Sequence, residues 1–323
     1  MSELKSICWA SDYEGIGNAY GYTTHMKAMK KHVGDILPFD NDSPIALHIT
    51  TGDHFFPIEG KKNYLFTMFE GEKVPETFVL GTRKADHIIV PCKQNKRVYE
   101  TYIPDKPIDV CHEGCDVDFY AFKERKFPEN TLQKPFRFLW VGAPNPRKGY
   151  EEVIIAWKWS GADRNPNVEL YMKTTMTNKV EQRGNCIWDS RDFTLEGLRD
   201  LYYDAHCFLF PTRGEGWGLT LTEAMSTGLP CIATKYSGTA DFFDSYVGYT
   251  IDYRLQHFHL AHYNLHTEMA LPSVEHLIQQ MCYVVAHYNE ALSKARKAAE
   301  RIRNKYTWPK AARRLVQIIQ DSI

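Results

Sequence analysis

The sequence predicts an α/β protein of two domains, each built around a sheet of mainly parallel strands. Short apolar runs alternate with segments of helical periodicity, which is typical of βαβ units. A chain of 323 residues with 43% apolar content is long enough for two cores of ordinary size. The charged, proline-bounded segment 122–135 separates two sets of strand candidates and is the predicted linker.

Each strand candidate is a short apolar run, and most are followed by a helical pattern. The strands are predicted at residues 6–10, 45–48, 64–68, 87–90 and 108–111 before the linker, and at 136–141, 168–172, 207–210 and 231–233 after it. Helices are predicted at residues 24–32, 150–160, 195–206, 219–227 and 272–306, the last with breaks. The helix at 195–206 is predicted to have one apolar face, formed by Leu195, Leu198, Leu201, Tyr202 and Ala205.

Composition and charge narrow the class of protein. A net charge of −1 argues against a dedicated nucleic-acid binder, which usually carries a basic domain. The chain has neither a secretory leader pattern nor a run of eighteen apolar residues, so we expect a soluble, cytoplasmic protein. Its eight cysteines are scattered without a C-x-x-C pair, and we interpret them as reduced core residues.

The most informative feature is a pair of glutamates, Glu215 and Glu223, separated by a glycine-containing loop that leads from a strand into a helix. The first N–H groups of a helix lack internal partners and favour anions, and the loop glycines allow a ligand close to the backbone. Acids there would repel a bare phosphate, so we expect them to accept hydrogen bonds from hydroxyls of a larger ligand. A nucleotide sugar carries both groups. The alternative is that Glu223 only complements the helix dipole and Glu215 is a loop acid.

Residues 211–234 resemble the signature of the retaining glycosyltransferases of family four, including the E-x7-E pair and the Gly-x-Pro turn that follows. The resemblance implies the GT-B fold, in which two Rossmann-like, doubly wound domains face each other across a cleft. It also implies that Glu223 holds the ribose hydroxyls and Glu215 the hydroxyls of the donor sugar. The N–H groups of Gly218, Leu219 and Thr220 would bind the diphosphate.

Two cations, Arg147 and Lys148, follow the predicted strand at 136–141, at the end where doubly wound sheets bind ligands. They suit a diphosphate and would stabilise the charge that grows on it as the leaving group. A solvated turn is the alternative. Family members often have an arginine where this chain has Ala143, and Arg147 is the candidate to replace it.

In the first domain, the resemblance gives Gly17, in the glycine loop 11–18, a backbone contact to the donor diphosphate. Relatives often place a histidine near the reacting sugar carbon. His48 is the candidate here, with Asp53 or His54 as poorer alternatives, and a packed or solvent role remains open for each. Glu70, at the end of a strand, is the other predicted catalytic residue of this domain.

The Asp116-x-Asp118 pattern resembles a metal-binding motif of a different glycosyltransferase fold, and we discount it because nothing else in the chain suggests that fold. The resemblance divides the chain into an acceptor-side domain at 1–128 and a nucleotide-sugar domain at 129–305. A closing helix at 306–323 is expected to pack back on the first domain.

The resemblance therefore implies a retaining hexosyltransferase that needs no metal or other cofactor and uses a UDP or GDP sugar as donor. The acceptor hydroxyl could belong to a glycan, a lipid-linked sugar, a protein or a modified nucleic-acid base. Two other interpretations stay open: a GT-B epimerase or phosphorylase acting on nucleotide sugars, and a nucleotide-sugar-binding protein with weak activity.

Overall fold

A computed structural model describes residues 4–11, 20–175 and 177–323. The chain divides into two compact units. The first unit comprises residues 1–114, 257–268 and 305–323, and the second comprises residues 115–256 and 269–304. Segment 115–128, predicted in the first domain, thus groups with the second unit, and the last helix groups with the first.

The first unit contains a five-stranded parallel sheet in the order β1-β2-β3-β4-β5. Its strands are β1 (Cys8–Trp9), β2 (Ile45–Ile49), β3 (Lys62–Phe66), β4 (His87–Val90) and β5 (Ile108–Val110). Its helices are α1 (Tyr20–Gly34), α2 (Glu76–Thr82), α3 (Lys93–Tyr102) and, from the end of the chain, α9 (Trp308–Asp321), which packs against α1.

The second unit contains a seven-stranded sheet in the order β12-β11-β10-β6-β7-β9-β8, parallel except for the edge strand β8. Its strands are β6 (Phe136–Val141), β7 (Val168–Lys173), β8 (Val180–Arg183), β9 (Cys186–Asp189), β10 (Cys207–Phe210), β11 (Cys231–Thr234) and β12 (Tyr249–Ile251). Its helices are α4 (Tyr150–Trp159), α5 (Leu195–Asp204), α6 (Leu219–Ser226), α7 (Val274–Ala286) and α8 (Tyr288–Lys305). A separate two-stranded sheet is formed by β13 (Tyr253–Leu260) and β14 (Leu265–Pro272).

Burial explains why the central strands are nearly continuous apolar runs. A parallel sheet covered by helices is buried on both faces, so it selects apolar residues at successive positions. Phe136, Phe138 and Trp140 of β6 belong to the core of the second unit, and the alternate residues Leu139 and Val141 are buried as well. The predicted strands at 87–90 and 136–141 match β4 and β6 at both ends.

Two of the strands that the sequence patterns missed are mainly exposed. All four residues of β8 are exposed, and most of β13 is exposed, so neither strand shows the apolar pattern that marked the others. The strands β9, β12 and β14 and the short helices α2 and α3 were not predicted either, although each buries some of its residues. Every helix in the described ranges falls short of the length and apolarity needed to cross a bilayer. All eight cysteines are free thiols, seven buried and Cys282 exposed.

One glycine brings the ends of two neighbouring strands into close contact. Gly149, between the turn after β6 and the start of α4, has φ of 71°, in the left-handed region. A Cβ atom on it would lie 1.8 Å from the carbonyl oxygen of Pro211, which directly follows β10. A side chain at this position would therefore meet both backbone strain and a rigid backbone atom.

We predict that Gly149→Ala lowers the free energy of unfolding by about 2–4 kcal/mol, since a left-handed alanine costs about 1–2 kcal/mol and the overlap adds to it. Gly60→Ala is the matched control, because Gly60 has φ of 75° and a Cβ atom on it would have no neighbour within 4 Å. Denaturant titration of both variants should show the larger loss for Gly149→Ala. Equal losses would mean that the second unit relaxes around the new methyl group.

Candidate functional site

The candidate site lies at the carboxyl edge of the sheet in the second unit. Strands β6 and β10 are parallel neighbours, so their ends meet at this edge although they are far apart in sequence. Arg147 and Lys148 lie in the turn after β6, and Glu215 lies in the loop after β10. Open α/β sheets bind ligands at this edge.

The structure brings the two predicted cations onto one carboxylate. Lys148 Nζ donates to Glu215 Oε1 at 2.8 Å and to Oε2 at 2.9 Å. Arg147 Nη1 lies 3.3 Å from Oε2 and donates to the Gly214 carbonyl oxygen at 2.6 Å. Both cationic side chains stay partly exposed, whereas the Glu215 side chain is 8% exposed. The carboxylate therefore holds two cations at the surface of the site.

Further hydrogen bonds hold the side chain and the backbone of Glu215 in place. Thr212 Oγ1 donates to its Oε1 at 2.9 Å. The Ser237 hydroxyl accepts from the Glu215 N–H at 2.8 Å and donates to the Glu215 carbonyl at 3.0 Å, and Gly238 N–H donates to the same carbonyl. Burial alone would raise the pKa of the Glu215 carboxyl, but Lys148, Arg147 and Thr212 outweigh it, and the net pKa lies below the usual range. Glu215 is thus ionised at neutral pH.

Helix α6 begins beside this cluster. Gly218 precedes it with φ of 115°, a conformation that suits glycine, and its carbonyl accepts the first helical bonds from Leu221 and Thr222. The N–H groups of Gly218, Leu219 and Thr220 come before that first bond, as predicted for an anion site at a helix N-terminus.

Glu223 lies in the second turn of α6 and is 3% exposed. Its Oε2 accepts a hydrogen bond of 2.8 Å from the hydroxyl of Tyr202, a residue of α5. The sequence placed Tyr202 on the buried face of its helix, but no pattern in it indicated this pairing.

A buried ion pair behind the site was also missed from the sequence. Arg213 donates to Glu152 Oε1 through Nη2 at 2.6 Å and through Nε at 3.1 Å, and Nη2 lies 3.3 Å from Glu151 Oε2. Its N–H donates to the carbonyl of Arg147 at 2.7 Å. Arg213 therefore ties the Glu215 loop to both the Arg147 turn and the start of α4.

His48, in the first unit, lies inside β2, which extends one residue further than predicted. Its ring is 4% exposed, its Nε2 bonds Asn63 Oδ1 at 3.0 Å, and it packs edge-on against Phe55. Burial lowers the pKa of His48, opposed by the hydrogen bond to Asn63. These contacts favour the packed role that the sequence left open.

The other predicted residues that the structure describes in the first unit are more exposed to solvent than His48. His54 is exposed and its Nδ1 lies 3.1 Å from Asp53 Oδ1. Glu70 follows β3 and is half-buried. Gly17 lies outside the described residues. In the second unit, Asp116 Oδ1 accepts from the N–H of Phe119, a turn contact.

Comparisons with known proteins point to glycosyltransferases. Residues 190–315 match the family described as "Family 4 Glycosyltransferase in conflict systems", a range that includes Glu215, Glu223 and Tyr202. Over this range the chain is similar to the family four glycosyltransferases, in agreement with the resemblance seen in its sequence. A sucrose synthase from Melioribacter roseus is 29% identical over 151 residues, which are 46% of this chain and 17% of that protein. Sucrose synthase 4 from Oryza sativa is 30% identical over 174 residues, 53% of this chain and 19% of that protein.

The matches thus span less than a fifth of either sucrose synthase. Among solved structures, HepE from Anabaena in complex with UDP-glucose has a TM-score of 0.67 at 11% identity, covering 99% of this chain and all of that one. Sucrose-phosphate synthase from Thermosynechococcus elongatus has a TM-score of 0.64 at 15% identity, covering 95% of this chain and 80% of that one. These likenesses establish the predicted GT-B fold.

We predict that Glu215 stabilises the fold in a pH-dependent way. Its folded pKa is below its unfolded value, so the stabilisation is present above the unfolded pKa, about 4.3, and is lost as pH falls through the folded pKa. At pH 7, Glu215→Gln should lower the free energy of unfolding by about 1–3 kcal/mol. The difference from wild type should shrink below pH 4.

Denaturant titrations between pH 7 and pH 3 measure this difference, with Glu196→Gln as the control for an exposed glutamate. A difference that does not change with pH would show that Glu215 contributes by packing and not by its charge.

Proposed function

We propose that this protein transfers a sugar from a nucleoside-diphosphate donor to an acceptor hydroxyl with retention at the anomeric carbon. The observation that carries the proposal is the contact of Lys148 and Arg147 with Glu215 beside the N-terminus of α6. Cations, helix N–H groups and a fixed carboxylate together match the diphosphate and the sugar hydroxyls of one ligand.

The two cations suit the leaving group. Arg147 offers a planar guanidinium and Lys148 a compact ammonium, and both are partly exposed at the sheet edge. During transfer, negative charge grows on the diphosphate oxygen that leaves the anomeric carbon, and fixed positive groups stabilise it without reorganising. In this role they take the place of a divalent metal, and we propose that the reaction needs none.

Glu215 would serve the donor sugar. Its carboxylate is ionised, and Thr212, Ser237 and Gly238 fix its side chain and backbone. A fixed carboxylate accepts hydrogen bonds from sugar hydroxyls and so orients the anomeric carbon. Glu223, buried in α6, would accept from the ribose hydroxyls.

In the proposed step, the bond between the anomeric carbon and the β-phosphate oxygen breaks while the acceptor oxygen bonds to the same face of that carbon. The acceptor's proton goes to the released diphosphate. This route needs no protein nucleophile. The role of Arg147 and Lys148 in it is to stabilise the negative charge on the leaving diphosphate.

The donor is proposed to be a hexose nucleotide, with uridine tested before guanosine because HepE is described in complex with UDP-glucose. The proposed acceptor is a hydroxyl of a glycan, a lipid-linked sugar, a protein or a modified nucleic-acid base. The free, mostly buried thiols are in keeping with a cytoplasmic location.

We predict that saturating UDP or GDP sugar raises the melting temperature by about 5 °C, because a ligand that binds only the native state stabilises it. The shift should be mostly lost in Lys148→Ala and in Glu223→Ala, each compared with its own ligand-free melting temperature. Lys158→Ala, which removes an exposed lysine of α4, is the control and should keep the shift. Differential scanning fluorimetry against UDP-glucose, UDP-N-acetylglucosamine and GDP-mannose provides the measurement.

A shift that survives in Lys148→Ala would contradict the assignment of the diphosphate to this edge of the sheet. No shift with any donor would contradict the proposed function itself.

A further inference from the structure

A hydroxyl from a neighbouring helix holds one of the two signature glutamates. Tyr202 of α5 is fully buried, and its OH donates to Glu223 Oε2 at 2.8 Å. Its ring lies between Phe208 of β10 and Tyr120, each in an edge-on contact at 5.7 Å and 5.9 Å between ring centroids. The ring is therefore fixed, and so is the position of its hydroxyl.

The hydrogen bond from Tyr202 acts on the last side-chain torsion of Glu223. The last torsion of a glutamate side chain, which sets the plane of the carboxylate, is broad and weakly restrained. A hydroxyl that donates to one carboxylate oxygen at 2.8 Å restrains that torsion, because the bond weakens when the oxygen turns away. Helix α6 sets the backbone position of Glu223, and the Tyr202 hydroxyl is bonded to one oxygen of its carboxylate.

We propose that Tyr202 is a positioning residue that sets the plane of the Glu223 carboxylate and thereby determines the preference of the site for ribose over deoxyribose. The inference rests on the proposed function, in which Glu223 accepts from the ribose hydroxyls. Two adjacent hydroxyls can bond a carboxylate well only when its plane is aligned with them, because hydrogen bonds weaken steeply away from linearity. A nucleotide that lacks the 2′-hydroxyl does not benefit from that alignment.

The next residue of the same helix supplies a matched control. Tyr203 is half-buried and its OH donates to the backbone carbonyl of Ala121 at 3.1 Å. Tyr203→Phe removes one hydroxyl and one hydrogen bond from α5, as Tyr202→Phe does. The two variants therefore differ in which partner loses its donor, a backbone carbonyl or the Glu223 carboxylate.

The test is the ratio of dissociation constants for each ribonucleotide and its 2′-deoxy counterpart, measured by calorimetry with UDP, 2′-deoxy-UDP, GDP and 2′-deoxy-GDP. Wild type should prefer the ribonucleotide by about tenfold, the size of one charged hydrogen bond. Tyr202→Phe should reduce this preference to about two- to threefold, and Tyr203→Phe should leave it unchanged. An inactive fraction of protein lowers the stoichiometry of both titrations and leaves the dissociation constants unchanged, so a merely structural role does not alter the ratio.

Glu223→Gln separates failure of this inference from failure of the proposed function. If Glu223→Gln loses the ribose preference and Tyr202→Phe keeps it, the positioning role is overturned and the proposed function stands. If Glu223→Gln also keeps the preference, or if neither ribonucleotide binds, the proposed role of Glu223 fails and the inference fails with it. Should Tyr202→Phe not fold, Tyr202→Met, which also lacks the hydroxyl, takes its place with the same expected ratio.

Discussion

The ion pair between Lys148 and Glu215 is the interaction on which the rest of the site depends. It connects the turn after β6 to the loop after β10. The N–H of Arg213 connects the same two segments by donating a hydrogen bond to the carbonyl oxygen of Arg147. A carboxylate that is almost fully buried needs such partners, because without them its desolvation would favour the neutral acid. The backbone must also permit the approach, and Gly149 does so by leaving room for the carbonyl of Pro211.

The sequence predicted the parts of the site that follow from local pattern. The strand at 136–141, the strand at 207–210 and the start of α6 at Leu219 are marked by apolar runs and a glycine loop, and the structure has them at the predicted residues. The pairing of side chains was not predictable in the same way. It depends on strand order, because β10 lies beside β6 while β7, β8 and β9 fill the other side of the sheet. The contact of Glu215 with Ser237 follows from that order, since β11 is the other neighbour of β10, and the contact of Glu223 with Tyr202 depends on how α5 and α6 pack beside β10.

The exposed strands were missed for a different reason. An edge strand such as β8 and the exposed strand β13 bury little apolar surface, so hydrophobic periodicity carries no signal for them. His48 shows how a one-residue difference changes an interpretation. Placed at a strand end it is a candidate for chemistry, but β2 continues to Ile49 and pairs His48 with Leu65 inside the sheet.

The proposed function depends on the binding of a diphosphate by Arg147, Lys148 and the start of α6. Calorimetric titration of UDP against UMP, and of GDP against GMP, tests it most directly, because each pair differs only in the β-phosphate. For the base that binds, wild type should prefer the diphosphate by about tenfold or more, the equivalent of one charged hydrogen bond, and Lys148→Ala should lose most of that preference. An equal affinity for monophosphate and diphosphate in wild type, or a preference unchanged in Lys148→Ala, would contradict the claim.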